Sequence, residues 1–351
     1  MISLCVIVRD EEKNLDRCLS SVNNFVNEII IVDTGSKDNT KYIAKKYTDK
    51  IYDFKWENDF SKARNFSIEK ANYEWILILD ADEIITKFNR QEIDNFIKFK
   101  KDVLGRIDII NLISDKNGVK KSKQRVARLF NKNYFRYKGK IHEQLEKKDS
   151  DYLCMEDIDI EVEHVGYDKK INNLRYKLNR NIELLLVEIE NNDTDPYLYY
   201  QLGKSYYMGE FYDMAEKQFE IAIKYVTDYR YEYIEDLIET YGYTLLSLGK
   251  YEKALKIIDY ESYLCDSADF YFLKGLICMN NGYIYESIKS FEIASNKEKY
   301  KVEGVNSYLT FYNLGVIYEC LGDINKAIEY YNKSGDYHLS KSRLDKLMTK
   351  V

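Results

Sequence analysis

Three carboxylates stand within four residues at Asp80, Asp82 and Glu83, directly after the apolar run Trp75-Ile-Leu-Ile-Leu79. A strand of that kind, apolar on both faces, belongs to a parallel sheet covered by helices, and ligands of such sheets sit outside the carboxyl ends of the strands. Alternation along an extended backbone places Asp80 and Asp82 on the same side, so that one holds a divalent cation while the other fixes a neighbouring polar group. Such a pair suits a metal diphosphate. A second apolar run, Glu28-Ile-Ile-Ile-Val32, ends in Asp33-Thr34-Gly35-Ser36 and brings another acid to the same rim, where it can accept hydrogen bonds from a nucleobase or ribose. Taken alone, that tetrapeptide reads as a tight turn and helix cap. Beside Asp80 and Asp82 it reads as part of a ligand site.

The elements that must carry these acids follow from periodicity. Residues 2–8 form a buried-strand run, and residues 11–22 follow with Leu15, Cys18, Leu19 and Val22 at helical spacing. Residues 28–32 predict the next strand and residues 38–46 a helix capped by Ser36 or Asp38. Residues 51–54 predict a short strand, residues 60–71 a helix, and residues 75–79 the strand that delivers the acids. Alternation with short turns implies right-handed crossovers and an α/β fold with a mostly parallel sheet.

The ordered segments Val6-Ile-Val-Arg-Asp-Glu-Glu12, Ile31-Val-Asp-Thr-Gly-Ser-Lys-Asp-Asn-Thr40, Asp59-Phe-Ser-Lys-Ala-Arg-Asn65 and Asp80-Ala-Asp-Glu83 resemble a glycosyltransferase family 2 domain of the GT-A fold, Rossmann-like with helices on both faces. The resemblance covers about the first 170 residues. It implies a nucleotide-sugar donor, most often a UDP-sugar, a divalent cation such as Mn2+ or Mg2+, and transfer with inversion at the anomeric carbon. It also implies that Val8, Arg9 and Glu11 edge the nucleoside pocket, that Asp33 faces the base, that Arg64 lies near the nucleotide, that Asp80 with Ala81 approaches the ribose or sugar, and that Asp82 ligates the metal. Arg9-Asp10 departs from the Lys-Asn often found in relatives, which leaves the base and sugar preference open.

Inverting transfer needs a base on the face opposite the leaving nucleotide. Residues 125–166 offer Arg128-Leu-Phe130, Gly139-Lys-Ile-His142-Glu143, Glu156-Asp157 and Glu161-Val-Glu-His164-Val-Gly-Tyr167, and two of the three histidines of the chain fall here. These motifs resemble those of family 2 enzymes that carry helical repeats. Glu143 is the leading candidate for the base, with Asp157 or Glu156 next. His164 is a candidate for a further metal or diphosphate contact, because a neutral imidazole beside a carboxylate suits manganese-like ions; without the neighbouring motifs, His142 and His164 would read as hydrogen-bonded structural imidazoles. Residues 107–113 predict a further strand, and the basic run of residues 116–128 an exposed hairpin whose Arg125 and Arg128 face the phosphates or support the acceptor loop.

From about residue 172 helical periodicity takes over. Gly203, Gly242, Gly275 and Gly315 are each followed twelve residues later by a small residue, Ala215, Ala254, Ser287 and Ala327, with Gly209, Gly249, Gly282 and Gly322 between. That is the tetratricopeptide (TPR) frame, whose helix pairs cross closely and stack into a solenoid. The domains expected are 1–170 for the transferase, 171–195 for a helical linker and 196–351 for about four repeats, closed by a capping helix over residues 340–351. Tyr206, Tyr271 and Tyr318 occupy core positions of the frame, whereas Tyr197, Tyr200, Tyr207 and Tyr243 are candidates for a peptide-gripping face.

Composition bounds the rest. A chain of 351 residues exceeds a single core, and a net charge of -6 argues against a nucleic-acid partner. Six cysteines without a paired framework fit a reduced, cytoplasmic protein, and no stretch reaches the roughly 20 apolar residues of a membrane span. Together the two halves resemble the sublancin-type peptide S-glycosyltransferases, which implies a peptide or protein acceptor recruited by the repeats, or self-association through them. A surface polysaccharide or lipid-linked acceptor, and a non-catalytic scaffold, are the alternatives.

Overall fold

The computed structural model describes all residues except 116–117, 151, 165–170, 230 and 349–351. Part of the basic-run turn and the Gly166-Tyr167 end of the last histidine motif therefore lie outside the described residues. The chain divides into two compact units, Met1–Lys177 and Leu178–Val351.

In the first unit, β1 (Ile2–Val8), α1 (Leu15–Val22), β2 (Glu28–Asp33), α2 (Thr40–Ala44), β3 (Ile51–Asp53), α3 (Phe60–Lys70) and β4 (Trp75–Ile78) alternate as expected. The apolar runs are continuous because alternate residues feed opposite cores. Leu4, Val6, Ile31 and Leu77 pack with the α1 stripe Leu15, Cys18, Leu19 and Val22. Their neighbours Cys5, Ile30, Val32, Ile76 and Ile78 pack on the other face with Ile68 of α3 and with Phe130. β1 lies between β2 and β4, parallel to both, with Val8 opposite Asp33 and Cys5 opposite Ile78. The ends of β1, β2 and β4 thus reach one rim. The second helix is shorter than predicted: Asn39 precedes it, and Asp38 turns its Oδ1 to the Thr40 amide and its Oδ2 to the Glu12 amide.

Beyond β4 the structure departs further from the predicted pattern. β5 (Glu83–Phe88), α4 (Arg90–Phe99), β6 (Leu104–Asp115), β7 (Gly118–Asn131), β8 (Phe135–Lys138), β9 (Gln144–Lys147) and β10 (Met155–His164) follow, then α5 (Ile171–Asn191). The large sheet runs β3-β2-β1-β4-β7-β6-β10-β5, with β7 antiparallel to β4 and β6, and β5 antiparallel to β10. β10 is parallel to β6, so the sheet is mixed but mostly parallel, with β7 and β5 alone running against the other strands. The basic run becomes one long arm of a hairpin, and its Lys123 and Arg125 pair with Asp108 of β6 at 2.7 and 3.3 Å. Charges neutralised across a ladder do not form an anion-binding face.

The second unit is helical. Its pairs are α6 (Pro196–Met208) with α7 (Tyr212–Tyr225), α8 (Glu232–Ser247) with a broken second arm, α11 (Ala268–Asn280) with α12 (Ile284–Ser295), and α13 (Tyr308–Cys320) with α14 (Ile324–Lys333). The broken arm comprises α9 (Tyr251–Ala254), a 3₁₀ stretch (Leu255–Tyr260) and α10 (Glu261–Leu264). Ala215, Ala254, Ser287 and Ala327 are fully buried. In three pairs an aromatic ring lies against the glycine of the first helix: Phe219 on Gly203, Phe291 on Gly275 and Tyr331 on Gly315. The second pair has Ile258 at that position, and Gly242 instead meets Leu273 of α11. Gly249, Gly282 and Gly322 adopt left-handed φ of 68°, 78° and 81°, but in the first repeat Glu210 takes that conformation (φ 62°) in place of Gly209. α15 (His338–Met348) closes the array by packing Leu347 with Ala327 and Tyr331. The connection after α12 folds back: Lys299 O accepts from the Ala268 amide, Asp269 accepts from the Lys301 and Val302 amides, and Lys301 Nζ reaches Glu239 of α8 at 2.5 Å. Tyr200 is buried and donates its hydroxyl to Asp236 at 2.6 Å, which removes it from the peptide-gripping candidates. Tyr197, Tyr207 and Tyr243 are half-buried against the helical core.

A Cβ on Gly275 would stand 2.7 Å from the Phe291 ring. Gly275→Ala should therefore lower the stability of the helical unit by about 1–2 kcal/mol in urea unfolding, despite a helix-propensity gain of about 1 kcal/mol. Phe291→Leu in the same chain should recover part of the loss. All six cysteines are free, with Cys154, Cys265 and Cys320 exposed. Burial pushes the Cys5 thiol up to about 12 and raises Cys18 and Cys278 as well. Thiolate is the reactive form, so a thiol reagent at pH 8 should titrate three groups in the native chain and six after denaturation.

Candidate active site

The rim at the ends of β1, β2 and β4 gathers most of the candidates. Val8 O accepts from the amide and hydroxyl of Thr34 at 2.9 and 3.1 Å, which ties the first two strand ends together. Asp33 closes the turn with one oxygen and leaves the other free of donors. Its Oδ1 accepts from the Gly35 and Ser36 amides at 2.8 Å each, closing the turn, while its buried Oδ2 has no hydrogen-bond partner. A carboxylate oxygen held out of water without a donor is costly, and it is the feature expected where a ligand N–H or O–H completes the site. Arg9 is exposed at the same rim. Glu11 accepts from Asn14 at 2.8 Å; burial raises its pKa, and that hydrogen bond opposes the rise.

The three acids after β4 do not continue the strand. The Glu83 amide donates to Asp80 O at 3.0 Å, so residues 80–83 form a tight turn, and Asp80 and Asp82 acquire different partners rather than sharing one side of an extended chain. Asp80 Oδ1 accepts from Arg64 Nη2 at 2.8 Å and its Oδ2 from Arg128 Nη2 at 2.9 Å. The same Arg128 nitrogen donates to Glu83 Oε1 at 2.9 Å, and Glu83 Oε2 accepts from the Asp80 amide at 2.8 Å. Arg64 Nε donates to Glu143 Oε1 at 2.5 Å. The result is a chain of alternating charge, Glu143, Arg64, Asp80, Arg128, Glu83. Burial works against ionised Asp80, but the two guanidinium groups outweigh it and hold the carboxyl well below the usual range. Burial likewise opposes charge on Arg64, and Asp80 with Glu143 reverses the effect. The Tyr137 ring lies 5.5 Å from the Arg64 guanidinium, and burial pushes its hydroxyl up to about 12.

Asp82 meets His164 instead: Nε2 lies 3.1 Å from Asp82 Oδ2, while Nδ1 lies 2.9 Å from Asn111 Oδ1. An amide oxygen only accepts, so Nδ1 carries a proton and Nε2 faces the carboxylate. The hydrogen bond to Asp82 raises the His164 pKa, against burial. A neutral ring of this tautomer presents the Nε2 lone pair beside a carboxylate oxygen, a pair of donors that a cation can use, while the Asn111 amide oxygen orients the imidazole. These two residues fit a divalent ion only in part, since among the described residues no group of three or more His, Cys, Asp or Glu converges on one point. Ligand oxygens would have to complete the coordination.

Asp157 and Glu156 do not join the site. Asp157 pairs with Arg106 at 2.6 Å and Arg125 at 2.7 Å, and Glu156 with Lys100 at 2.9 Å. They stand at the start of β10, and His164 at its end, about 20 Å away along a strand. Of the candidate bases, only Glu143 reaches the acid cluster. Its loop is bent sharply, with Gly139 at φ 96° and His142 at φ 50°, and is anchored where the Phe60 amide donates to Lys140 O at 2.8 Å. Sequence reading did not place Asn111, Tyr137 or the role of Glu83, and it set Arg128 toward the phosphates or the acceptor loop, whereas its guanidinium is buried against Asp80 and Glu83. Asn111 is the one of these with a local signal, a polar residue inside the apolar run Ile107-Asp-Ile-Ile-Asn-Leu-Ile113.

The family model for glycosyl transferase family 2 matches residues 3–154, which include every acid and arginine of this cluster. The amino-terminal unit carries a family 2 glycosyltransferase domain. A tetratricopeptide repeat model matches residues 309–334, the α13–α14 pair. The SPbeta prophage-derived glycosyltransferase SunS of Bacillus subtilis is 34% identical over 197 residues, which cover 54% of this chain and 46% of that protein. A TPR repeat-containing protein of Synechococcus elongatus is 52% identical over 82 residues, 23% of this chain and 20% of that one. An uncharacterized glycosyltransferase of Rickettsia felis is 29% identical over 146 residues, 40% of this chain and 51% of the relative. These matches span about half the length of the relatives or less. Among solved structures, YrrB, a TPR protein with an unusual peptide-binding site, is 23% identical with a TM-score of 0.40, covering 50% of this chain and 85% of that one. No described helix is long and apolar enough to cross a membrane.

Removing one member of a buried ion network leaves its partners uncompensated, a loss of about 3–5 kcal/mol when burial is complete. The Asp80 side chain is 37% exposed, so Arg64→Met should destabilise the first unit by roughly 2–3 kcal/mol after allowance for solvent screening. Asp157→Asn should change it by less than about 1 kcal/mol in the same urea titration.

Proposed function

We propose that this chain is a cytoplasmic inverting glycosyltransferase that moves a sugar from a nucleotide-sugar donor, a UDP-sugar, to a peptide or protein acceptor engaged by the helical repeats. The observation that carries the reading is the rim itself: within a family 2 domain, a buried unpartnered Asp33 oxygen, an arginine-held Asp80 and an Asp82–His164 pair stand at adjoining strand ends. Six free thiols support a reducing compartment. The peptide acceptor follows from the likeness to the sublancin-type enzymes and from the repeat array.

Each residue then has a task. Asp33 Oδ2 accepts a base N–H, and the outer edge of Asp80 accepts a hydroxyl of the ribose or sugar. Asp82 Oδ2 and neutral His164 Nε2 would hold Mn2+ or Mg2+, which when bound offsets the charge that builds on the departing diphosphate. Glu143 keeps Oε1 on Arg64 and takes the acceptor proton on its other oxygen. As the acceptor O–H or S–H bond gives up that proton, its heavy atom bonds to the anomeric carbon from the opposite face. The anomeric C–O bond breaks, and its electron pair leaves with the nucleoside diphosphate.

The test is to incubate the chain with Mn2+ or Mg2+ and a panel of nucleotide sugars, and to follow nucleotide release with and without candidate peptides, polysaccharides and lipid-linked sugars. Asp82→Ala should reduce release at least about 100-fold, the scale of losing electrostatic stabilisation of a leaving group, with unchanged circular dichroism. Undiminished turnover in that variant would refute the metal assignment.

A further inference from the structure

The third acid of the turn and the arginine behind it have no task in the reaction just described. Glu83 is 3% exposed and Arg128 8%, which leaves neither available as a primary ligand contact. Their geometry is nevertheless specific. Glu83 Oε2 accepts from the Asp80 amide, so its side chain closes the same turn whose backbone its own amide completes. Arg128 Nη2 then bridges Glu83 Oε1 and Asp80 Oδ2 at 2.9 Å each, while Arg64 grips Asp80 Oδ1 from the other side. Both oxygens of Asp80 are thereby fixed by separate guanidinium groups, and the carboxylate plane cannot rotate without breaking one of them.

A role in stability alone does not account for this arrangement. Burying a guanidinium between two carboxylates generally gains nothing over apolar packing, and the Nε of Arg128, also buried, has no hydrogen-bond partner. The group is placed for what its Nη2 holds. We propose that Arg128 and Glu83 are positioning residues that lock Asp80 in the orientation from which it receives the donor, and that they act through Asp80 rather than on the diphosphate. The inference rests on the nucleotide-sugar reading of the rim and adds to it a division of labour among the acids: Asp82 serves the cation, Asp80 the donor hydroxyls, and Glu83 the shape of the turn. Preorganisation of this kind raises affinity by removing the ordering step from binding.

A double-mutant cycle tests it, with UDP affinity in the presence of Mn2+ measured by titration calorimetry on the full chain. Asp80→Asn and Arg128→Met should each weaken binding about tenfold, and the double variant should bind within about twofold of Asp80→Asn alone, because coupled residues are not additive. Losses that multiply, or an Arg128→Met chain that binds like the parent, overturn the inference. Should Arg128→Met fail to fold, Glu83→Gln takes its place in the cycle, since it keeps an acceptor for the Asp80 amide but loses the bridge to Arg128. Amide hydrogen exchange over residues 79–84 supplies a readout that needs no ligand. Faster exchange confined to that turn is expected in the Arg128 and Glu83 variants, and unchanged protection overturns the positioning role. If the parent chain binds no nucleoside diphosphate while the turn loosens as expected, the functional reading fails and the mechanical one stands.

Discussion

The guanidinium of Arg64 is the contact on which the geometry of the candidate site depends. It comes from α3, a helix that also covers one face of the sheet through Ile68, and it joins Glu143 on the β8–β9 loop to Asp80 at the end of β4. Three segments far apart in the chain meet at one planar group. A charge buried to this extent is tolerated only with its counter-charges in place, so the packing of α3 and the geometry of the acids are settled together. The candidate base and the candidate donor contact are therefore not independent features: whatever displaces one changes the electrostatic surroundings of the other.

How much of this was legible in the chain follows from the range of the interactions involved. The strands β1, β2 and β4 announce themselves because each buries both faces, and every residue contributes to the signal. β7 was legible only as an arm of a hairpin, and its place inside the sheet beside β4 was not, because pairing between strands leaves little trace in local composition. β5 and β10 join as edge and penultimate strands by contacts more than seventy residues apart. The acids were recognisable by type and by their place after an apolar run. Which acid meets which base was not: Asp157 and His164 sit on one strand and in neighbouring motifs, yet the strand carries them to opposite ends.

The repeat half shows the same division. Glycine and small-residue spacing marks where helices cross, because only a missing Cβ admits Phe219, Phe291 or Tyr331 against the backbone. The frame is silent about the second repeat, where Ile258 replaces the ring and the second arm breaks into a 3₁₀ stretch. It also does not foretell that Glu210 rather than Gly209 takes the left-handed conformation. A charged residue in that region is strained but not forbidden at an exposed turn.

The connection after α12 gives the array a property that simple stacking lacks. Repeat proteins behave as strings in which each module senses only its immediate neighbours, so they fray from their ends. Here Lys301, lying beyond the third helix pair, is fastened to Glu239 in the second, while Asp269 clasps the backbone beside it. That clasp couples the two middle modules across their shared seam, and the centre of the solenoid should melt as one block rather than module by module.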